Sequence, residues 1–258
     1  MVWMNDQSVA AQADSPSAWV DPDGLPYGAG ALGLGIIGLV FTSFALQWQP
    51  VPGSIAQHGA LTIVSSLILV LGGIATMLRR TATLGAVVLA AWYGLWVIAL
   101  HVPVVAAAPS VGSLLGVAEI LALATAGLQL QYVRRLRTGP VLVIVRILFG
   151  LCPLVFGLSH FVYVEFTAKM VPGWIPAPLF WAYATGTAHF LAGVAIVAGI
   201  RVRLAATLLA AMCGLFVLLL HLPRVIAAPG SQLEWTMMFV ALSITGAAWI
   251  MRTAGASR

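Results

Sequence analysis

Ionisable and aromatic residues that could bind a ligand or move protons are concentrated in one stretch of the chain. They are His160, Glu165, Lys169, His189, His221, Arg224, Glu234 and Trp235. The surrounding sequence is apolar, and only 7% of the whole chain is charged. Because an ionisable side chain at membrane depth is energetically costly, each such residue is a functional-site hypothesis.

Three histidines in this stretch, His160, His189 and His221, are residue types that bind transition metals together with carboxylates. Their spacing does not form a compact motif such as HExxH. Each imidazole could instead bond to a carbonyl of a neighbouring helix and fix packing. His221 also lies near a proline at a helix end, where an imidazole meets the negative end of the helix dipole. The residues alone leave metal binding, cofactor binding, proton transfer and packing open.

The charged residues nearby have two interpretations each. Glu165 and Lys169 have the order and spacing of a helical ion pair, which would be of little energetic value on an outer surface. Glu165 could instead take a proton, and Lys169 could hold a quinone oxygen or an anionic head group. Glu234 either stabilises a helix start or exchanges protons with the outer histidines. We predict these three as catalytic, and Arg224 and Trp235 as cofactor contacts beside the histidines.

Composition places these residues in a membrane. The chain has 258 residues, of which 61% are hydrophobic, and its mean hydropathy is +1.04. Several apolar runs are long enough to cross a bilayer core of roughly 30 Å as helices. Short loops favour an all-α bundle over a barrel. The net charge is +5, but the arginines lie at helix ends and form no basic face, which argues against a nucleic-acid partner.

Eight transmembrane helices are predicted. They lie near residues 29–47, 57–78, 82–104, 112–132, 141–162, 178–199, 203–225 and 233–252. An even number of spans puts both termini on one side of the membrane. That side has nine Lys and Arg residues and the other side has two, with Arg146 left out of the count because it lies inside the fifth span. The positive-inside rule therefore places both termini in the cytoplasm, as in a multi-pass protein of a bacterial inner membrane.

An internal repeat divides the chain. HVPVVAAAP at 101–109 matches HLPRVIAAP at 221–229, and VPG at 51–53 matches VPG at 171–173, at an offset of 120 residues. Two copies of an even number of spans share one orientation, so the repeats are parallel. The predicted organisation is a mobile cytoplasmic tail (1–28), a first four-helix repeat (29–132), a basic linker (133–140), a second four-helix repeat (141–252) and a C-terminal tail (253–258). Within the tail, the segment around Trp19 could instead lie on the membrane surface or dock on the domain, since tryptophan favours interfaces.

The two repeats differ in chemistry. The first keeps His101, the counterpart of His221, but has apolar or amide residues in place of the other polar residues of the second. It adds Glu119 inside its fourth span, where a carboxyl group needs a partner or a proton. We therefore predict a polar His/Glu pocket at the extracytoplasmic end of the second repeat, with the first repeat as scaffold.

The second repeat also carries a recognisable pattern. The runs VRILFGLCPLVFGLSHF, EFTAKMVPGWIP and FWAYATGTAHFLAGVAIVAGIRVRLAATLLA resemble the DoxX/DoxD-like membrane proteins. The matching positions are Arg146, Gly150, Lys169, Gly186, Gly193, Arg203, Ala205 and Ala206. The resemblance covers residues 141–252, and it reaches 30–132 through the repeat.

This resemblance implies a four-helix unit that serves as a small subunit of a quinone-linked oxidoreductase, or as a partner of a membrane redox complex. The cofactor would be a quinone or a transition metal, and the partners a lipid bilayer and a membrane or redox protein. Duplication and the additional histidines depart from the family pattern. The alternative function is a non-catalytic structural subunit of a larger assembly. Proton-coupled transport is a third, for which the sequence lacks evident broken helices.

Overall fold

A computed structural model of the chain describes residues 19–135 and 139–255, and its regular secondary structure is helical throughout. A helix that continues through a π-helical turn is counted here as one. The helices are α1 (Leu25–Phe41), α2 (His58–Met77), α3 (Ala82–Ala107), α4 (Val111–Arg134), α5 (Pro140–Val162), α6 (Val164–Met170), α7 (Pro178–Ala198), α8 (Val202–Ala227) and α9 (Gln232–Met251). The predicted all-α class is confirmed for the described residues.

Seven of the helices found in the described ranges are long and apolar enough to cross a membrane, namely α2 to α5 and α7 to α9. Large apolar side chains such as Leu71, Ile98 and Leu191 remain exposed on them, as expected of surfaces that contact lipid. Helix α1 is apolar but has only 17 residues. A helix of that length spans about 25 Å, which is less than a bilayer core of roughly 30 Å. Seven of the eight predicted spans therefore reach the usual length of about 20 residues, and the first, with 17, lies at the lower limit of the range of about 17–25.

Helix α1 also differs from its predicted boundaries. It begins at Leu25, so the predicted tail of residues 1–28 ends too late. Pro26, in the first helical turn, has a fixed φ that suits a helix start. The helix ends at Phe41 because Thr42 adopts a left-handed backbone with φ 48°. The observed helix thus lies closer to the N-terminus than the predicted first span, 29–47.

Residues 19–24 pack against the bundle, which corrects the prediction of a mobile tail for this part. The Arg79 backbone N–H donates to the Trp19 carbonyl at 2.9 Å, and the Arg79 guanidinium donates to the Val20 carbonyl at 2.9 Å. The Arg80 guanidinium lies 4.5 Å from the centre of the Trp19 ring. The segment is therefore held at the end of α2. The rest of the predicted tail, residues 1–18, lies outside the described residues.

Two aspartates then tie this segment to other helices. Asp21 is fully buried, and its Oδ1 accepts hydrogen bonds from the N–H groups of Asp23 at 3.0 Å and Gly24 at 3.2 Å. Asp21 forms a salt bridge with Arg134 at the end of α4. Asp23 forms one with Arg252, just after α9, at 2.6 Å. The start of the first half is thereby joined to the ends of α4 and α9.

The two halves of the chain share their packing. Helix α1 packs on α2 and on α9, α5 packs on α7 and on α4, and α4 and α9 also pack on each other. The last helix of each half therefore packs on the first helix of the other half.

The predicted linker at 133–140 is shorter in the structure. Arg134 still belongs to α4, and Pro140 begins α5. Residues 136–138 lie outside the described residues, as do residues 256–258 of the predicted C-terminal tail.

Helices α3 and α8 contain π-helical turns at matching places. These turns cover Val97–His101 and Val217–His221, and each is followed by a proline at the second position of the next helical segment. Proline lacks a backbone N–H and its ring clashes with the carbonyl four residues earlier. A widened turn relieves this clash and places a histidine at its end. Both histidines, His101 and His221, are buried.

Candidate functional site

The structure brings two of the predicted histidines together. His160 lies near the end of α5 and His189 lies in α7, with their ring centroids 5.2 Å apart. The two helices can approach this closely because Gly157 and Gly186 face each other. A Cβ atom on Gly157 would lie 2.6 Å from the Gly186 carbonyl oxygen. The sequence therefore builds the pair by placing glycines one turn from each histidine.

His160 is held in a defined orientation. Its Nδ1 lies 2.9 Å from the Phe156 carbonyl oxygen. A carbonyl oxygen can only accept, so Nδ1 carries the hydrogen and Nε2 is the acceptor of the neutral ring. His160 is partly exposed, whereas His189 is only 3% exposed. The pair therefore leads from the edge of the bundle into its interior.

His189 occupies an aromatic and apolar environment. The Phe156 ring meets it edge-on at 5.5 Å, and the Phe216 ring lies at 6.2 Å on the side of α8. Its Nδ1 is buried and has no hydrogen-bond partner among the described residues. A buried polar atom without a partner costs about 1–3 kcal/mol, so it requires a physical explanation. A ligand that bonds to this nitrogen would supply one.

The predicted metal site is not assembled. Within the residues that the structure describes, no group of three His, Cys, Asp or Glu side chains is arranged to hold a metal ion. His221 lies on the π-helical turn of α8, and its buried Nδ1 also lacks a partner in this part of the chain. The binding of a metal by His160, His189 and His221 therefore stays a prediction, and among the described residues the structure shows close ring contact only for the first two.

Arg224 and Glu234 form a two-point ion pair between the end of α8 and the start of α9. The two guanidinium–carboxylate distances are both 2.8 Å. The Ser231 hydroxyl accepts from the Glu234 backbone N–H at 3.3 Å and caps α9. Both charged side chains thus have partners that fix the loop between the helices. The geometry gives them a structural role, whereas a catalytic role for Glu234 and a cofactor contact by Arg224 stay predictions.

Three other predicted residues lie apart from the histidine pair. Trp235 donates its indole N–H to the Pro229 carbonyl at 2.8 Å and stacks on Phe239. Glu165 and Lys169 are exposed on the short helix α6, and no salt bridge joins them in the described part of the chain. Among the described residues, no hydrogen bond, salt bridge or ring contact joins these side chains to His160 or His189.

A polar cluster in the first half was not predicted as a unit. The Trp48 indole donates to the Glu119 carboxylate at 2.8 Å, and Nε2 of His101 lies 3.0 Å from the Trp48 carbonyl. Gln49 beside it donates to the Ser65 hydroxyl at 2.7 Å. The sequence signal was Glu119 in an apolar span, but its donor comes from a distant segment. At the offset of 120 residues, the second half has Ala168 and Phe239 in place of Trp48 and Glu119, so it cannot form this contact.

Replacing Trp48 with phenylalanine should lower the free energy of unfolding by about 1–2 kcal/mol, because the partly buried Glu119 carboxyl loses its donor. Thermal unfolding in detergent measures the effect. Trp92→Phe is the matched control, since the Trp92 indole N–H is buried without a partner among the described residues. Equal losses in the two variants would contradict a stabilising role for the contact with Glu119.

A family model described as DoxX matches residues 141–222. This match confirms the resemblance that the sequence of the second half predicts, and it covers α5 to α7 and most of α8, including both paired histidines. Together with the apolar helices, it supports an integral, multi-pass membrane protein that is DoxX-like. No curated protein and no solved structure matches the chain.

Proposed function

We propose that this DoxX-like membrane protein is a subunit of, or a partner to, a membrane redox complex, and that His160 and His189 bind the head group of a quinone. The observation that carries the proposal is the buried Nδ1 of His189, which has no partner among the described residues and lies beside a second imidazole. The link to redox chemistry comes from the resemblance to the DoxX/DoxD-like proteins.

A quinone fits the chemistry of this position. Its ring is flat and apolar, like the Phe156 and Phe216 rings that border His189. Its carbonyl oxygens accept hydrogen bonds, which an N–H of His189 can donate. Nε2 of His160 is an acceptor, so it can bond to a hydroxyl group of the reduced quinol. When a quinone accepts two electrons it also takes up two protons at these oxygens, and an imidazole can pass protons from one of its nitrogens to the other. His160 would then pass protons between the edge of the bundle and the buried His189.

We also propose the complete membrane arrangement predicted from the sequence. In it, α1 is the first of eight spans, the repeats at 29–132 and 141–252 are parallel, and both termini face the cytoplasm of a bacterial inner membrane. The bounds of α3 and α8 support the repeat, because their starts and their π-helical turns differ by the same 120 residues. The packing of α1 on α9 corresponds to that of α5 on α4. The histidine pair then lies towards the extracytoplasmic side.

The test is a titration of the purified protein with a short-tailed benzoquinone and, separately, with a short-tailed naphthoquinone. Quenching of the tryptophan fluorescence reports binding at each concentration. His189→Phe preserves an aromatic ring but removes both nitrogens. We expect the Kd to rise about tenfold or more, as for the loss of one hydrogen bond in a dry pocket. His160→Phe should raise the Kd of the reduced quinol, whose hydroxyl group loses its acceptor at Nε2. The control is His58→Phe, at the start of α2 and outside the pair.

Equal quinone binding by the wild type and both variants of the pair would contradict the site. A wild-type protein that binds neither quinone, yet co-purifies from native membranes with stoichiometric partner subunits, would favour the alternative of a structural membrane subunit. In that case the two histidines would serve helix packing, through contacts such as the bond from His160 to the Phe156 carbonyl.

A further inference from the structure

A groove with a volume of about 720 Å³ lies at the opposite end of the second half from the paired histidines. It is bordered by the start of α5, the turn between α7 and α8, and the first turns of α8. Arg146, Arg201 and Arg203 all line it. None of the proposed quinone-binding residues belongs to it, so it is a separate feature of the molecule.

Among the described residues, no salt bridge balances the positive charge of this groove. In residues 19–135 and 139–255, the salt bridges join other arginines, at the ends of α4, α8 and α9, to Asp21, Asp23 and Glu234. The three arginines of the groove are absent from these pairs. Guanidinium groups that face one cavity repel each other, and an anion bound among them relieves this repulsion.

Arg146 is held by the backbone around it, and Arg201 has an unusual backbone conformation. Arg146 donates to the Ile196 and Val197 carbonyls at the end of α7. Gly199 leaves room for it, because a Cβ atom there would lie 2.8 Å from the Arg146 Nη1 atom. Arg201 has a left-handed backbone with φ 46° directly before α8. Such a conformation is unfavourable for a residue with a side chain, so it needs stabilisation from its surroundings.

The first turn of α8 adds further positive electrostatic potential to the groove. No side chain caps it by a hydrogen bond, and free N–H groups at a helix start carry a partial positive charge that favours anions. Apolar side chains complete the groove, among them Val143 and Leu204, which are 48% and 50% exposed. The site therefore combines fixed positive charge with an apolar wall open to the membrane.

We propose that this groove binds a phosphate group. Arginine matches phosphate oxygens with paired hydrogen bonds, and basic pockets between transmembrane helices suit the head groups of anionic lipids. The apolar wall favours the phosphodiester of an anionic phospholipid, whose acyl chains would lie along Val143 and Leu204. A soluble phosphate that enters from the aqueous side shares the same chemistry.

The proposal is tested by titrating the full chain with lipids and measuring the bound lipid by native mass spectrometry. We expect phosphatidylglycerol to bind more tightly than phosphatidylcholine, and Arg203→Gln to weaken phosphatidylglycerol binding about tenfold or more. Arg201→Asn should weaken it too, and asparagine tolerates the left-handed backbone at this position. Arg135→Gln is the matched control, because Arg135 is exposed and does not line the groove. The Kd of this variant for phosphatidylglycerol should stay near that of the wild type.

A titration with inorganic phosphate distinguishes the two sources. Saturable phosphate binding that falls in Arg203→Gln, without a preference for phosphatidylglycerol over phosphatidylcholine, would support a phosphate site filled from solution. A preference for phosphatidylglycerol without binding of inorganic phosphate would support a lipid site. The proposal is overturned if the wild type binds neither probe selectively, or if both groove variants bind as Arg135→Gln does.

Discussion

Replacing Asp21 with alanine should release residues 19–24 from the bundle and lower the free energy of unfolding by about 3 kcal/mol. Asp21 is fully buried and accepts two backbone hydrogen bonds in addition to its salt bridge with Arg134. Removing the carboxylate leaves these donors without an acceptor and takes away the nearer of the two carboxylates beside the Arg134 guanidinium, the other being Asp23 at 3.9 Å. Unfolding in a denaturing detergent measures the stability, and limited proteolysis detects the released segment.

Asp23 provides the comparison for this prediction. Its side chain is 27% exposed and pairs with Arg252, whose side chain is 24% exposed. Water can solvate both groups when the pair is broken, so Asp23→Ala should cost only about 1 kcal/mol. A double-mutant cycle of Asp21→Asn with Arg134→Gln, made in the Asp23→Ala background because Arg134 also lies 3.9 Å from Asp23, measures the coupling of the buried carboxylate to this guanidinium. Additive effects in this cycle, or equal losses at Asp21 and Asp23, would contradict the role assigned to Asp21.

Hydropathy predicted most of the fold because each span is determined by its own residues. The predicted spans 57–78 and 178–199, for example, agree closely with α2 (His58–Met77) and α7 (Pro178–Ala198). The first span was misplaced because Asp21 and Asp23 resemble the start of a solvated tail when only nearby residues are considered. Their partners, Arg134 and Arg252, lie in α4 and after α9. Such contacts depend on the packing of distant helices, which local sequence does not specify.

The sequence predicted which residue types form the candidate site, but it did not predict which of them lie next to each other. The rarity of histidine in apolar helices indicated His160, His189 and His221, but only helix packing decides which of them meet. The glycines at 157 and 186 bring the first two together. The pairing of Arg224 with Glu234 depends on the turn between α8 and α9, since these residues lie on different helices. Sequence therefore identified the polar residues, while their partners required the three-dimensional structure.

Replacing Gly246 with leucine should separate α1 from α9 and destabilise the protein by about 3–5 kcal/mol or prevent folding. A Cβ atom on Gly246 would lie 2.2 Å from the Tyr27 backbone nitrogen and 2.5 Å from its Cα. Backbone atoms in a helix cannot move aside as a flexible side chain can. Tyr27 is also fully buried and donates its hydroxyl to the Leu123 carbonyl of α4 at 2.9 Å. Displacing α1 therefore breaks a second contact.

Unfolding in detergent and the yield of folded protein measure this effect, and Gly94→Leu is the matched control. Gly94 lies inside α3 with no atom close enough to meet an added Cβ. At the offset of 120 residues, the counterpart of Gly246 is Ala126 in α4, which is fully buried. This position in α4 thus accommodates a methyl group where the corresponding position in α9 does not. If Gly246→Leu were as stable as Gly94→Leu, α1 could not be packed on α9, and the proposed first span would have to lie elsewhere.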